Sequence, residues 1–137
     1  MKAQLVYTGI RVRNMDRSVR FYTEVLGMRL RGRAKNRSIH GEWAQLESPG
    51  THQLLELNWY SSQSPFYTPW KHGVEMDHLC FRVDDVDGAA KTLEKAGAKR
   101  LGDPYLTPGW KMVDLSDPNG ICVELGAPSR ARRPRRK

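Results

Sequence analysis

No apolar run in this chain approaches the ~20 residues that a membrane-spanning helix needs, so the sequence is not that of a helical membrane protein. Cysteine is scarce. Cys80 and Cys122 both sit inside strand-like runs and neither belongs to a CxxC pair, which argues against a disulfide and against a thiolate zinc site. Buried, reduced thiols are the expectation. The start, Met1-Lys2-Ala3-Gln4-Leu5, has no apolar h-region and no cleavage site, so a cytoplasmic location is expected. Acidic residues are the minority, 15 against 23 basic ones, for a formal net charge of +8. Six of those charges lie in the last eight residues, RARRPRRK from Arg130 to Lys137, leaving +2 for residues 1–129. The basic character therefore belongs to a tail, expected to be disordered over 127–137. It has no interleaved aromatics, so nucleic-acid contact through it is the weaker expectation.

What remains is ordinary for a globular protein: 39% hydrophobic and 28% charged residues over 137 positions, enough for one domain with a core. Residues 4–13, QLVYTGIRVR, alternate as a strand, with Val6, Thr8, Ile10 and Val12 on one face and Tyr7, Gly9, Arg11 and Arg13 on the other. Asp16 is expected to cap a helix whose stripe is Val19, Tyr22 and Leu26, ended by Gly27. Strands follow around 28–34, 39–47 and 52–59, the last two joined by the turn Ser48-Pro49-Gly50-Thr51. Residues 60–75 form a long connector holding Tyr60, Phe66, Tyr67 and Trp70; connectors of that length are usually functional.

Then the pattern restarts. The strand Met76-Asp77-His78-Leu79-Cys80-Phe81-Arg82-Val83 sets Leu79, Phe81 and Val83 on one face and His78, Cys80 and Arg82 on the other. A helix after Asp85-Val86-Asp87 carries Ala89, Ala90 and Leu93 to Gly97; strands around 99–106, 110–115 and 121–126 follow, the last after the turn Asp117-Pro118-Asn119-Gly120. Val12 with Val83 and Asp16 with Asp87 share an offset of 71, which sets Tyr7 opposite His78. Glu56 in LLELNW matches Glu124 in CVELGA at an offset of 68. The chain is thus an α+β tandem of two βαβββ modules, 4–59 and 76–126, joined by the connector.

If two such modules pair about an approximate two-fold axis, their equivalent positions meet. His78, Glu56 and Glu124 would then be one imidazole and two carboxylates converging with Tyr7, and a divalent cation would offset charges that otherwise repel. Ni, Zn, Co, Mn or Fe suits such a donor set. Cys80 and Cys122, on the same strand faces as His78 and Glu124, are expected as lining, because same-face neighbours stand ~6.5 Å apart along a strand.

Taken together, DRSVRFYTEVLGM, LLELNW, DHLCFRVDDVD and DPNGICVEL resemble the vicinal oxygen chelate superfamily (glyoxalase, bleomycin resistance, dioxygenase), most of all glyoxalase I, the lactoylglutathione lyases. The resemblance covers residues 5–126. It implies a cupped, partly open barrel-like sheet around a metal, with sites usually formed across a homodimer. Glu56, His78 and Glu124 match family ligands. Tyr7 falls where the family has His or Gln, and a neutral phenol is a poor ligand. Arg11 matches a family arginine that holds the glutathione carboxylate, and Asn58 lies near a family glutathione-binding asparagine at a different spacing.

The resemblance implies a metal-dependent lyase. It would isomerise the hemithioacetal of a 2-oxoaldehyde through a metal-stabilised enediolate, Glu124 and Glu56 being the catalytic carboxylates and Glu124 the proton carrier. Alternatives are an acyl-CoA epimerase or another enzyme of the superfamily, and a metal-free binding protein of the resistance type. Extradiol dioxygenases and fosfomycin transferases use two His and one carboxylate, and Tyr7 disagrees with both.

Overall fold

The structure, a computed structural model, describes residues 1–129; the basic run from Arg130 onward lies outside the described residues. The chain divides into two compact units, Val6–His78 and, together with Met1–Leu5, the chain from Leu79 onward.

In the first unit, β1 (Gln4–Arg11) leads to α1 (Met15–Arg20). Asn14, rather than Asp16, caps that helix: its side chain accepts from the Arg17 amide at 2.9 Å. Asp16 stands within the first turn, where a carboxylate favours the helix dipole, and it pairs with Arg33 at 2.6 Å. The helix continues as one wider π turn, Phe21–Val25, and ends at Gly27, whose φ of +75° suits glycine. Next come β2 (Arg29–Asn36), β3 (Gly41–Glu47) and β4 (Leu54–Tyr60). β2 and β3 pair antiparallel, as do β3 and β4, while β4 runs parallel to β1. Val12, Met15, Val19, Ala44, Leu46 and Leu57 are buried together, with Ile10, Tyr22 and Trp59 packed against them. Each fully buried leucine there contributes roughly 1.5–3 kcal/mol.

The second unit repeats this plan. β5 (Met76–Arg82), whose residues up to His78 belong to the first unit, precedes α2 (Val86–Lys95), capped by Asp85 through the Asp87 amide at 3.2 Å. Asn14 and Asp85 are related by the same shift that relates Tyr7 to His78, so the repeat extends to the caps. The strand expected over 99–106 is broken at Gly102-Asp103-Pro104 into β6 (Lys99–Arg100) and β7 (Tyr105–Thr107), since proline withholds a ladder donor. Both pair antiparallel with β8 (Trp110–Ser116), β8 pairs antiparallel with β9 (Cys122–Pro128), and β9 runs parallel to β5. β9 extends past residue 126, so Ala127 belongs to the domain rather than to the tail. It is buried in the second core beside Val83, Val86, Ala89, Ala90, Val113, Leu115 and Leu125.

Register makes the repeat exact in kind. Gly9 stands opposite Glu56 in the first unit and Cys80 opposite Glu124 in the second. Val12 donates to the Asn58 carbonyl at 2.9 Å, and Val83 to the Gly126 carbonyl at 2.9 Å. The strands of neither unit close into a barrel. Among the described residues no helix is long and apolar enough to cross a membrane.

Candidate active site

The first unit builds a cluster around His78. Gly9, opposite Glu56 on the parallel pair, leaves a gap that the imidazole fills: a Cβ at position 9 would stand 2.6 Å from the ring's Cε1 and 2.7 Å from Nδ1. No residue but glycine leaves that room. His78 is only 7% exposed. Its Nε2 lies 3.1 Å from the Tyr7 hydroxyl and 3.8 Å from Glu56 Oε1, with the Tyr7 ring edge-on at 5.3 Å. Its Nδ1 lies 2.8 Å from Asp77 Oδ2, an oxygen that also accepts from the Tyr60 hydroxyl at 2.7 Å. Tyr60, Asp77, His78 and Tyr7 thus form one hydrogen-bonded chain, with Glu56 beside its last link.

For a divalent ion, His78 Nε2 and a Glu56 carboxylate are donors of the right type. Two ligands that each bind an ion at ~2.1 Å stand no more than ~4.2 Å apart, so their observed separation of 3.8 Å admits a shared ion. The pair fits as two ligands. Among the described residues no three His, Cys, Asp or Glu side chains group closely enough to hold a metal.

The second unit presents a different cluster at the equivalent glutamate. Glu124 on β9 stands opposite Asp114 on β8, and like charges so placed repel. The Tyr105 hydroxyl from β7 donates to Glu124 Oε2 at 3.0 Å and lies 3.4 Å from both Asp114 oxygens. Burial pushes Tyr105 far above the phenol range, and the Glu124 and Asp114 charges add to that shift. Tyr105 therefore remains a donor at every ordinary pH.

Arg11 and Asn58, expected on the substrate, are buried and have partners within the chain. The Arg11 guanidinium donates to the Thr68 hydroxyl at 2.8 Å and the Thr68 carbonyl at 2.6 Å, and lies 5.4 Å and 5.7 Å from the Tyr67 and Trp70 ring centres. It fastens the connector. The Asn58 amide faces the Ile10 and Glu56 carbonyls at 3.5 Å, a length at which hydrogen bonds are weak. Cys80 is buried, and neither cysteine is in a disulfide. An open cleft of about 400 Å³, lined by Lys35, Arg37, His40, Glu42, Trp59 and Ser61, shares no residue with the His78 cluster.

Sequence alone assigned no role to Asp77, Gly9, Asp114 or Tyr105, and placed Tyr60 only in the connector. Strand alternation sets Asp77 and His78 on opposite faces, which hides a contact made at the entry of β5. Asp114 was within reach of the repeat, because it faces Glu124 as Gln45 faces Glu56.

Among curated proteins the chain is similar to a probable lactoylglutathione lyase of Vibrio parahaemolyticus, at 28% identity over 128 residues, covering 89% of this chain and 88% of the relative. Among solved structures it is similar to a hypothetical protein of Bacillus halodurans, at a TM-score of 0.79 and 20% identity, covering 97% of this chain and 99% of that one. It is also similar to methylmalonyl-CoA epimerase of Mycobacterium tuberculosis, at a TM-score of 0.74 and 24% identity, covering 91% and 87%. At these identities the structures speak for the fold. Residues 4–125 match the family model, and the chain belongs to the Glyoxalase/Bleomycin resistance protein/Dioxygenase superfamily.

Proposed function

We propose that this protein is a metal-dependent lyase of the glyoxalase I kind, acting on the hemithioacetal of a 2-oxoaldehyde and a thiol. One observation carries the reading: a buried imidazole, braced on one nitrogen by Asp77, turns its other nitrogen toward Glu56. The lactoylglutathione lyases among its sequence relatives support the substrate class. In this proposal His78 and Glu56 hold a divalent ion, Ni, Zn, Co, Mn or Fe, Tyr7 stands beside it as a hydroxyl rather than a strong ligand, and Glu124 serves as the proton carrier rather than as a ligand.

When bound, the ion polarises the substrate oxygens and acidifies the carbon-bound proton between them. The rest falls to the chain. Glu124 takes that proton and returns it to the adjacent carbon, the work of a positioned carboxylate. Tyr105, a donor at every ordinary pH, keeps Glu124 oriented through Oε2. Glu56 balances the charge beside His78. Arg11 holds the aromatic connector in place through Thr68. A homodimer belongs to the same proposal, and the exposed Phe21, Val25, Leu26 and Leu30 of the first unit support it as apolar surface suited to a second copy.

The test is a chelation and reloading series on untagged protein, read as formation of the thioester product from methylglyoxal and glutathione. Turnover that disappears on chelation and returns with one of the five metals is the expected result. Protein that binds none of these ions and turns over no hemithioacetal would overturn the reading. Light scattering that reports only monomer would remove the dimer.

A further inference from the structure

We propose that Asp77, held by Tyr60, is a positioning residue that selects the tautomer and the ring direction of His78, and so decides which nitrogen the site presents. The inference deepens the proposed function and rests on it only for the metal. A carboxylate accepts and cannot donate. With Asp77 Oδ2 at 2.8 Å from Nδ1, the neutral ring carries its proton on Nδ1, because the other tautomer would set a lone pair against the carboxylate. Nε2 is then the acceptor, and the Tyr7 hydroxyl at 3.1 Å donates to it. Each donor in the chain meets one acceptor. A reversed tautomer would leave Nδ1 and Asp77 facing each other as two acceptors within a buried site, where unmade hydrogen bonds are costly.

Asp77 is itself fixed. The Tyr60 hydroxyl donates to the same Oδ2 at 2.7 Å, and the Asp77 side chain is only 17% exposed. Tyr60 closes β4 at the point where the connector begins, and its ring packs on Phe66 of that connector at 5.8 Å between centres. The placement of His78 is therefore tied to the seating of the connector through Tyr60 and Asp77. Behind the ring, Gly9 leaves the space that the imidazole occupies. Carboxylates that brace ligating histidines in this way strengthen the ligand and fix its direction, and their loss costs about 10–100-fold in metal affinity.

The experiment has two independent readouts, made on wild type, Asp77→Ala, Asp77→Asn and Tyr60→Phe. The first is the His78 tautomer in metal-free protein, from long-range nitrogen–proton NMR correlations at a pH where the ring is neutral. The second is nickel(II) affinity by calorimetric titration. The expected wild-type ring is protonated at Nδ1. Asp77→Ala should shift His78 toward the Nε2-protonated form and weaken nickel about 10–100-fold. Asp77→Asn keeps an acceptor and should restore much of both properties, and Tyr60→Phe should weaken nickel by a smaller factor with the tautomer kept. A wild-type ring protonated at Nε2, or a tautomer indifferent to Asp77→Ala, would overturn the proposal. If Asp77→Ala fails to fold, a Tyr60→Phe protein that matches wild-type nickel affinity would do the same. Wild-type protein that binds no nickel but shows the expected tautomer shift would sink the metal reading and leave the positioning role standing.

Discussion

Glu56 and Glu124 occupy the same register position in the two units, yet their surroundings differ. Glu56 faces the amide Gln45 across the sheet and has an imidazole beside it, whose position a glycine makes possible. Glu124 faces a second carboxylate, Asp114, and is held by a phenol that stays protonated. One backbone plan thus carries a ligand-like environment in one unit and a carboxylate pair with a proton donor in the other. The duplicated fold fixes where the glutamates stand. In the proposed function the neighbours, which the duplication does not fix, divide the work: Glu56 with His78 would hold the ion, and Glu124 with Tyr105 would handle the proton.

Five substitutions test that division. The largest effect is expected for Glu124→Gln, which should lower kcat by roughly 10²–10⁴-fold and leave nickel affinity less changed than Glu56→Gln does; equal losses of kcat in the two variants would erase the distinction. Gly9→Ala should come next. A methyl 2.6 Å from the His78 ring forces the imidazole out, with about 1–3 kcal/mol of lost stability seen in denaturant unfolding and a changed His78 NMR signal. A Gly9→Ala protein with wild-type stability and an unmoved ring would show that the ring has a second seat.

Tyr105→Phe should follow, removing a hydrogen bond to a charged acceptor for roughly 1.5 kcal/mol at neutral pH. Its pH dependence has a definite sign. The hydroxyl is raised above its unfolded value near ~10, so its contribution is complete below pH ~10, and folding stability falls as pH rises beyond it, where only the unfolded chain ionises. The Tyr105→Phe protein should lose less stability over that alkaline range, as thermal unfolding at a series of pH values would show. The smallest change is expected for Tyr7→His, which makes the first strand resemble the second. It should tighten nickel by about tenfold, as one imidazole replaces a phenol; calorimetry showing no gain would place Tyr7 away from the ion.

Much of the fold was legible because repetition is a property of sequence. The offset between Tyr7 and His78 recurs in the strand registers and in the helix caps, and the turns at Gly50 and Gly120 hold glycine with positive φ where the pattern asks for it. Misreadings were local. Asp16 looked like a cap because aspartate caps well, but Asn14 precedes the first helical residue and has the extended backbone of a cap. The run 99–106 looked like one strand until Gly102-Asp103-Pro104 interrupted the ladder.

The site was legible in its residue types and not in its connections. His78, Glu56 and Tyr7 could be named from strand alternation and the repeat. That Asp77 reaches its own neighbour's ring, that Tyr60 returns over 17 residues to hold it, and that Arg11 turns to the connector were decided by tertiary structure. Alternation states which face a side chain leaves from, whereas hydrogen bonds depend on where strand ends and connectors bring distant atoms. Two βαβββ units and the positions of their glutamates can be read along the chain, because period and offset survive in one dimension. Only the folded chain decided what each glutamate and the central histidine touch, because contacts of a few ångströms depend on packing that no spacing records.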